Sequence, residues 1–237
     1  MKLLDLTLPT PAKNLACDEA LLDWCEGEEC EGVLRFWEST EYFVVLGYAN
    51  KAAVEVDLPA CERRGVPVLR RCSGGGTVLQ GPGCLNYSLV LPIEGRLESI
   101  TETNSFVMQR NRAALQPLLT QKIEILGCTD LAIGSLKFSG NSQRRRRNFL
   151  LFHGSFLLDF KIGLVEELLK FPSRQPDYRA GRTHREFLTN VGLSAGEIKA
   201  SLQKAWKAGE RLDPVPITTA EALVRDKYSS AEWNLRW

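Results

Sequence analysis

The stretch RRCSGGGTVLQGPGCLNYS, Arg70–Ser88, decides how this chain reads. Val66–Arg71 (VPVLRR), Thr77–Leu79 and Leu85–Leu91 (LNYSLVL) are short, β-rich runs, so strands are expected on both sides of Gly74, Gly75 and Gly76. Fixing three adjacent glycines is entropically costly, and a strand interior does not want them. They strip the side chains from one wall, so a ligand or another backbone can lie flat against it. A β-bulge or glycine-rich hairpin is the plainer alternative. The GxGxxG fingerprint and a P-loop ending in GK[ST] are both absent from the sequence. Arg70 and Arg71 precede the glycines, and guanidiniums suit a phosphate or carboxylate.

Outward from this stretch, apolar spacing predicts a helix over Asn14–Trp24 and strands at Val33–Trp37 and Tyr42–Leu46, with the acidic EGEECEG between them as a loop. A short helix at Asp57–Arg64 is ended by Gly65. A long amphipathic helix is expected over Thr101–Thr120. Strands follow at Lys122–Leu126, Leu131–Ile133, Leu136–Ser139 and Phe149–Phe160, then helices at Gly163–Lys170, Ser194–Ala208 and Thr218–Lys227. Ser194 and Glu197 form a capping box for the second of these. Many strands with one long helix among them are α+β rather than a βαβ alternation. Glu210–Ile217 (ERLDPVPI) reads as a link to a small C-terminal element, dividing the chain into 1–209 and a helical tail, 210–237.

With 237 residues, 44% of them hydrophobic, the chain can bury one sizeable core. Thirty basic and 29 acidic residues leave a net charge of +1, which argues against a dedicated nucleic-acid binder. Seven scattered cysteines do not form a disulfide framework, and reduced thiols in a cytoplasmic protein are the simplest reading. With no CxxC pair and two histidines, a zinc site is not expected. The N-terminus has no apolar secretory core, and no run is long enough to span a membrane.

Two further segments carry chemistry. In LKFSGNSQRRRRNFLLFHGSF, Leu136–Phe156, Lys137 lies beside the turn Ser139-Gly140-Asn141, and His153-Gly154 interrupts an apolar strand. A lysine against apolar surface can place its ammonium on a developing anion. A histidine in such a strand is more often a satisfied core residue. The run Arg144–Arg147 reads as a solvated loop, or as bait for an acidic protein. In GCTDLAIGSLK, Gly127–Lys137, Asp130 can help hold Mg²⁺, orient an amine, or simply sit in a turn.

Together, RRCSGGGTV, GPGCLNYS, CTDL, KFSGNSQ and HGSFL, in this order and spacing, resemble the lipoate–protein ligase A family of the biotin/lipoate ligase and octanoyltransferase superfamily over about residues 1 to 205. The resemblance implies an α+β fold with a mostly antiparallel central sheet flanked by helices. It implies an enzyme that activates lipoate with ATP and Mg²⁺ and transfers the lipoyl group to a lysine of a lipoyl domain. Such acceptors are 2-oxoacid dehydrogenase E2 or a glycine-cleavage H-like protein. On this resemblance Arg71, Ser73, Gly74, Gly75, Gly76 and Val78 would cradle the acyl chain and phosphate. Lys137 would contact the acyl carbonyl and α-phosphate, with Ser139, Gly140 and Asn141 shaping the same wall. Asn86 and Ser88 would sit near the nucleotide, and Asp130 would place Mg²⁺ or the target lysine. His153, Gly154 and Ser155 would line the acyl pocket. No tightly bound metal, nucleic acid or membrane is expected, and a monomer is the default.

Two departures from the family pattern matter. The chain ends at KYSSAEWNLRW, where the family's accessory domain would begin, so a separate accessory subunit is one expectation. The position after the paired arginines, often basic, is Cys72. Related octanoyltransferases hold the acyl group as a cysteine thioester and need no ATP, which makes Cys72 and Cys128 candidates. A catalytically silent scaffold is a third class, opposed by the intact Arg71, glycines, Lys137 and His153-Gly154. A biotin ligase is disfavoured because its GRGRxGR-like loop is missing.

Overall fold

A computed structural model describes residues 1–27 and 30–236; Glu28 and Glu29, within the expected acidic loop, and Trp237 lie outside the described residues. The strands are β1 (Lys2–Asp5), β2 (Val33–Glu38), β3 (Phe43–Leu46), β4 (Val68–Arg70), β5 (Val78–Gln80), β6 (Cys84–Pro92), β7 (Ile123–Leu126), β8 (Asp130–Ile133), β9 (Leu136–Arg145), β10 (Phe149–Leu157) and β11 (Glu210–Arg211). The helices are α1 (Pro11–Gly27), α2 (Ala52–Glu55), α3 (Leu58–Arg64), α4 (Ile100–Leu115), α5 (Gly163–Leu168), α6 (His184–Phe187), α7 (Ala195–Trp206), α8 (Ile217–Leu223) and α9 (Ala231–Asn234).

Eight strands form the main sheet in the order β11-β1-β2-β6-β10-β9-β8-β7. It is antiparallel from β2 to β7, and parallel where β1 meets β2 and β11. A smaller sheet, β4-β3-β5, carries the glycine segment between β4 and β5. The fold is α+β, as its resemblance implies. One face of the main sheet packs Leu85, Tyr87, Phe152 and Phe156 against Val107 and Met108 of α4 and Ile198 and Leu202 of α7. The other packs Val33, Val90 and Leu151 against Cys17, Ala20 and Leu21 of α1 and Ala220 of α8. A third cluster joins the small sheet to α3 and α5.

Local chemistry sets several ends. Asp57 caps α3 by accepting the Ala60 N–H at 2.9 Å, and Gly65 closes it at φ +63°, a conformation costly for other residues. The capping box of Ser194 and Glu197 is present on α7. No helix is long and apolar enough to cross a membrane.

Two readings need correction. The arginine run is not a loop throughout: β9 continues through Arg144 and Arg145, paired with Leu151 and Leu150 of β10. Arg145 donates to the Leu97 carbonyl at 2.6 Å, and Arg146 to Asp23 at 2.7 Å. Nor are all seven thiols reduced, because Cys25 and Cys30 form a disulfide across the end of α1, with Cα atoms 5.2 Å apart. Residues 210–236 carry β11, α8 and α9 and pack on the rest of the chain. β11 extends the main sheet, and Arg70 donates to the carbonyls of Trp233, Asn234 and Arg236.

Candidate active site

Strand alternation sorts the expected site residues onto two faces. Across β6 and β10, Ser155 faces Asn86 and His153 faces Ser88, while Phe156 and Phe152 pair with Leu85 and Leu89 over the core. Asn86 and Ser88 are therefore brought beside Ser155 and His153. The amide nitrogen of Asn86 is buried without a partner.

A cavity of about 110 Å³ opens beside this face. Val78, Leu79, Phe138, Leu157, Phe160, Val165 and Leu169 give it apolar walls, and Thr77, Lys137, Ser139, Gly140 and Ser155 supply polar groups. Lys137 Nζ lies 2.8 Å from Asp130 Oδ1, and Tyr178 donates its hydroxyl to Asp130 Oδ2 at 2.7 Å. Burial and the neighbouring carboxylate hold the Tyr178 hydroxyl protonated well above its usual range. A Cβ on Gly140 would sit 2.6 Å from Lys137 Nζ, so only glycine leaves the ammonium its place. The result is a fixed cation at the edge of a slim apolar cavity, suited to the head of a chain-like acid.

Both oxygens of Asp130 are engaged, Oδ1 by the Lys137 ammonium and Oδ2 by the Tyr178 hydroxyl.

The glycine loop lies outside this lining. Gly74, Gly75 and Gly76 are exposed, with open space at the first and last. Arg71, expected on a phosphate, is buried beneath them. It donates to the carbonyls of Gly74 at 2.5 Å and Gly76 at 2.8 Å, and to Ser73 Oγ at 3.0 Å. It shapes the loop from inside. Burial pulls its guanidinium down to about 10, still cationic at neutral pH. Ser73 Oγ meets His153 Nε2 at 2.5 Å, His153 Nδ1 is 3.5 Å from Asp18 Oδ2, and Asp18 Oδ1 accepts from Arg35 at 2.5 Å. A buried relay thus runs from α1 and β2 through β10 to the loop, with His153 as its link rather than a cavity wall.

Asn141 and Gly154 do not line the cavity either. Asn141 Oδ1 accepts from the Tyr87 hydroxyl at 2.6 Å, and its Nδ2 donates to the Thr129 carbonyl at 2.6 Å. Asn111 donates to Tyr87 and accepts from Trp206, completing a polar chain through the core.

Of the candidate thiols, Cys72 is buried and pushed up to about 12, chiefly by burial with Glu19 adding to it. Burial likewise lifts Cys84 to about 12, and Cys17 and Cys61 to about 11. Cys128 is exposed, two residues before Asp130. No cysteine lines the cavity among the described residues.

Sequence reasoning missed Asp18, Arg35, Thr77, Tyr178, Arg179 and His184. Asp18 left a trace, a charge inside the apolar face of the first helix; Tyr178 to His184 sit where no periodicity shows.

The mostly antiparallel sheet thus carries a cavity with apolar walls and a lysine at its edge. The family described as lipoyl protein ligase A/B catalytic domain matches residues 10–203, and the chain belongs to it. Octanoyltransferase LipM of Geobacillus kaustophilus is 28% identical over 263 residues, covering 95% of this chain and 94% of that protein. The structure of an archaeal bi-partite lipoate protein ligase, described with its E2 lipoyl domain from Thermoplasma acidophilum, is similar with a TM-score of 0.84. Its identity is 25%, over 99% of this chain and 95% of that one. A lipoate-protein ligase A bound with ATP is similar with a TM-score of 0.83 at 26% identity, over 99% and 98%. The protein is an enzyme of the lipoate ligase and octanoyltransferase family.

Proposed function

We propose that this enzyme is a lipoate–protein ligase, which activates lipoate with ATP and passes the lipoyl group to a lysine of a lipoyl domain. The observation that carries the reading is the cavity wall: a positioned lysine beside bare glycine backbone, and no thiol. ATP supplies the phosphoanhydride that activates the acid. On this reading Lys137 meets the carbonyl and α-phosphate oxygens as negative charge builds there, and its ion pair with Asp130, itself held by Tyr178, keeps the ammonium in position. The apolar walls take the acyl chain and exclude water from the activated carbonyl. Removing a cation of this kind costs about 3 kcal/mol in the barrier, a rate loss of about a hundredfold.

The acceptor is a lipoyl domain of the E2 or H-protein kind, in keeping with the E2 lipoyl domain named with the Thermoplasma relative. That relative is bi-partite, in keeping with a separate accessory subunit for this enzyme. A second reading, ATP-independent octanoyl transfer through a Cys128 thioester, is favoured by the LipM likeness and by the exposure of Cys128 near Asp130.

The test is mass spectrometry of an apo lipoyl domain incubated with the protein, Mg²⁺ and lipoate, with and without ATP, or with an octanoyl-carrier protein. A mass gain that needs ATP and is lost in Lys137→Ala but kept in Cys128→Ser supports the ligase. Transfer from the carrier protein without ATP, lost in Cys128→Ser, overturns it.

A further inference from the structure

The cavity holds a second cation, and this one makes no ion pair among the described residues. Arg179, in the turn Asp177–Arg179, lines the cavity and is only 4% exposed. Its Nε donates to the Arg182 carbonyl at 2.9 Å, and its guanidinium lies over the rings of Phe187 (4.8 Å) and Phe171 (5.1 Å). One of its terminal nitrogens is buried with no hydrogen-bond partner. Glu166 acts on it through space without an ion pair, whereas Lys137 is matched by Asp130. His184, the other titratable group of the lining, is held below its usual 6.5 by burial, so it is neutral at neutral pH and offers no countercharge.

A guanidinium buried among aromatic rings with an unused donor is costly unless an acceptor arrives. Its planar fork suits two oxygens of one anionic group. We propose that Arg179 is the anion anchor of this cavity, receiving an oxyanion of the substrate: the carboxylate of the acid or the phosphate of its nucleotide. The inference rests on the acyl-activating reading above and assigns the cavity a second charged contact, on the opposite chain segment from Lys137.

Isothermal titration of charged and neutral ligand pairs tests it and separates the two sources. Octanoate is compared with octanamide, and AMP with adenosine, on the wild type, Arg179→Met and Arg179→Lys, with thermal midpoints confirming folding. The wild type is expected to favour the charged member of one pair by about ten- to a hundredfold, the span of a charge-assisted hydrogen bond. Arg179→Met abolishes that preference, and Arg179→Lys keeps part of it. Collapse in the first pair identifies the carboxylate, and in the second the phosphate. Preference in neither pair for the wild type, or full preference in folded Arg179→Met, overturns the proposal. If Arg179→Met does not fold, the guanidinium ¹⁵N signals of Arg179 in the wild type decide. They shift with the charged ligand and not its neutral counterpart, or the proposal fails. Failure of ATP-dependent transfer would end the ligase reading and leave the octanoate comparison standing, because the free acid needs no activation to bind.

Discussion

Replacing Gly154 with alanine should unsettle the core through one displaced side chain. The position lies in extended β10, where alanine is comfortable; space is what is lacking. An added Cβ would fall well inside van der Waals contact of Asn141 Oδ1 and 2.7 Å from the Gly140 carbonyl oxygen. Asn141 must then give up its bonds to Tyr87 and Thr129, both 2.6 Å long. The Tyr87 hydroxyl is left inside a fully buried residue without its acceptor. An orphaned buried donor costs ~1–3 kcal/mol and the second lost bond ~1 kcal/mol, so Gly154→Ala should destabilise by about 3 kcal/mol. At ~2–4 °C per kcal/mol for a domain of this size, the thermal midpoint falls by roughly 6–12 °C. A double-mutant cycle isolates the cause. In an Asn141→Ala background the main clash is gone, and Gly154→Ala should cost little beyond its residual contact with the Gly140 carbonyl. A single-mutant loss under about 1 kcal/mol, or full additivity of the two changes, would refute the reasoning.

Three further outcomes are expected. Burial would raise Asp18, but Arg35 and then His153 more than reverse this and hold its carboxyl below the usual 3.8. Its stabilisation is therefore complete above that value and lost as pH falls through the folded one. Asp18→Asn should flatten this acid limb and cost ~3 kcal/mol at neutral pH by leaving Arg35 charged and buried, as denaturant titrations across pH will show. Arg70 donates to six backbone carbonyls, so Arg70→Met should cost about 4 kcal/mol and expose residues 230–236 to proteolysis; an unchanged digestion pattern counts against the role. Cys72→Ser should leave acyl transfer unchanged, since a thiol pushed up to about 12 supplies almost no thiolate; lost activity in a folded variant would reopen Cys72 as a nucleophile.

Most of the central strands and α4 were legible because their apolar periodicity is strong. β1 was not, for Lys2–Asp5 is four residues long and is fixed by partners on β2, some 31 positions away, and on β11, some 208 positions away. Arg144 and Arg145 hid the length of β9, because charge suggested solvent while backbone pairing and distant carbonyls kept the strand going. At the site, Lys137, Ser139, Gly140, Ser155 and Val78 were read from motifs and do meet at the cavity. The motifs point Arg71 to the acyl chain and phosphate, Asn141 to the wall beside Lys137 and His153 to the acyl pocket, but motif reading does not say which way a side chain turns. All three spend their polar groups inside the protein. Arg179 could not be read at all, since its significance is a hydrogen bond that is not made.

The binding of Arg70 to Trp233, Asn234 and Arg236 also sets an order in time. The strand feeding the glycine loop emerges from the ribosome some 163 residues ahead of the carbonyls that cover its guanidinium. At ~5–20 residues per second that is a wait on the order of ten seconds, during which a nascent chain has its sheet and its lysine but not the roof over Arg70. That side of the enzyme is thus finished only once residues 233–236 have been made, and a chain stalled before residue 233 would have the cavity without the finished loop support beside it.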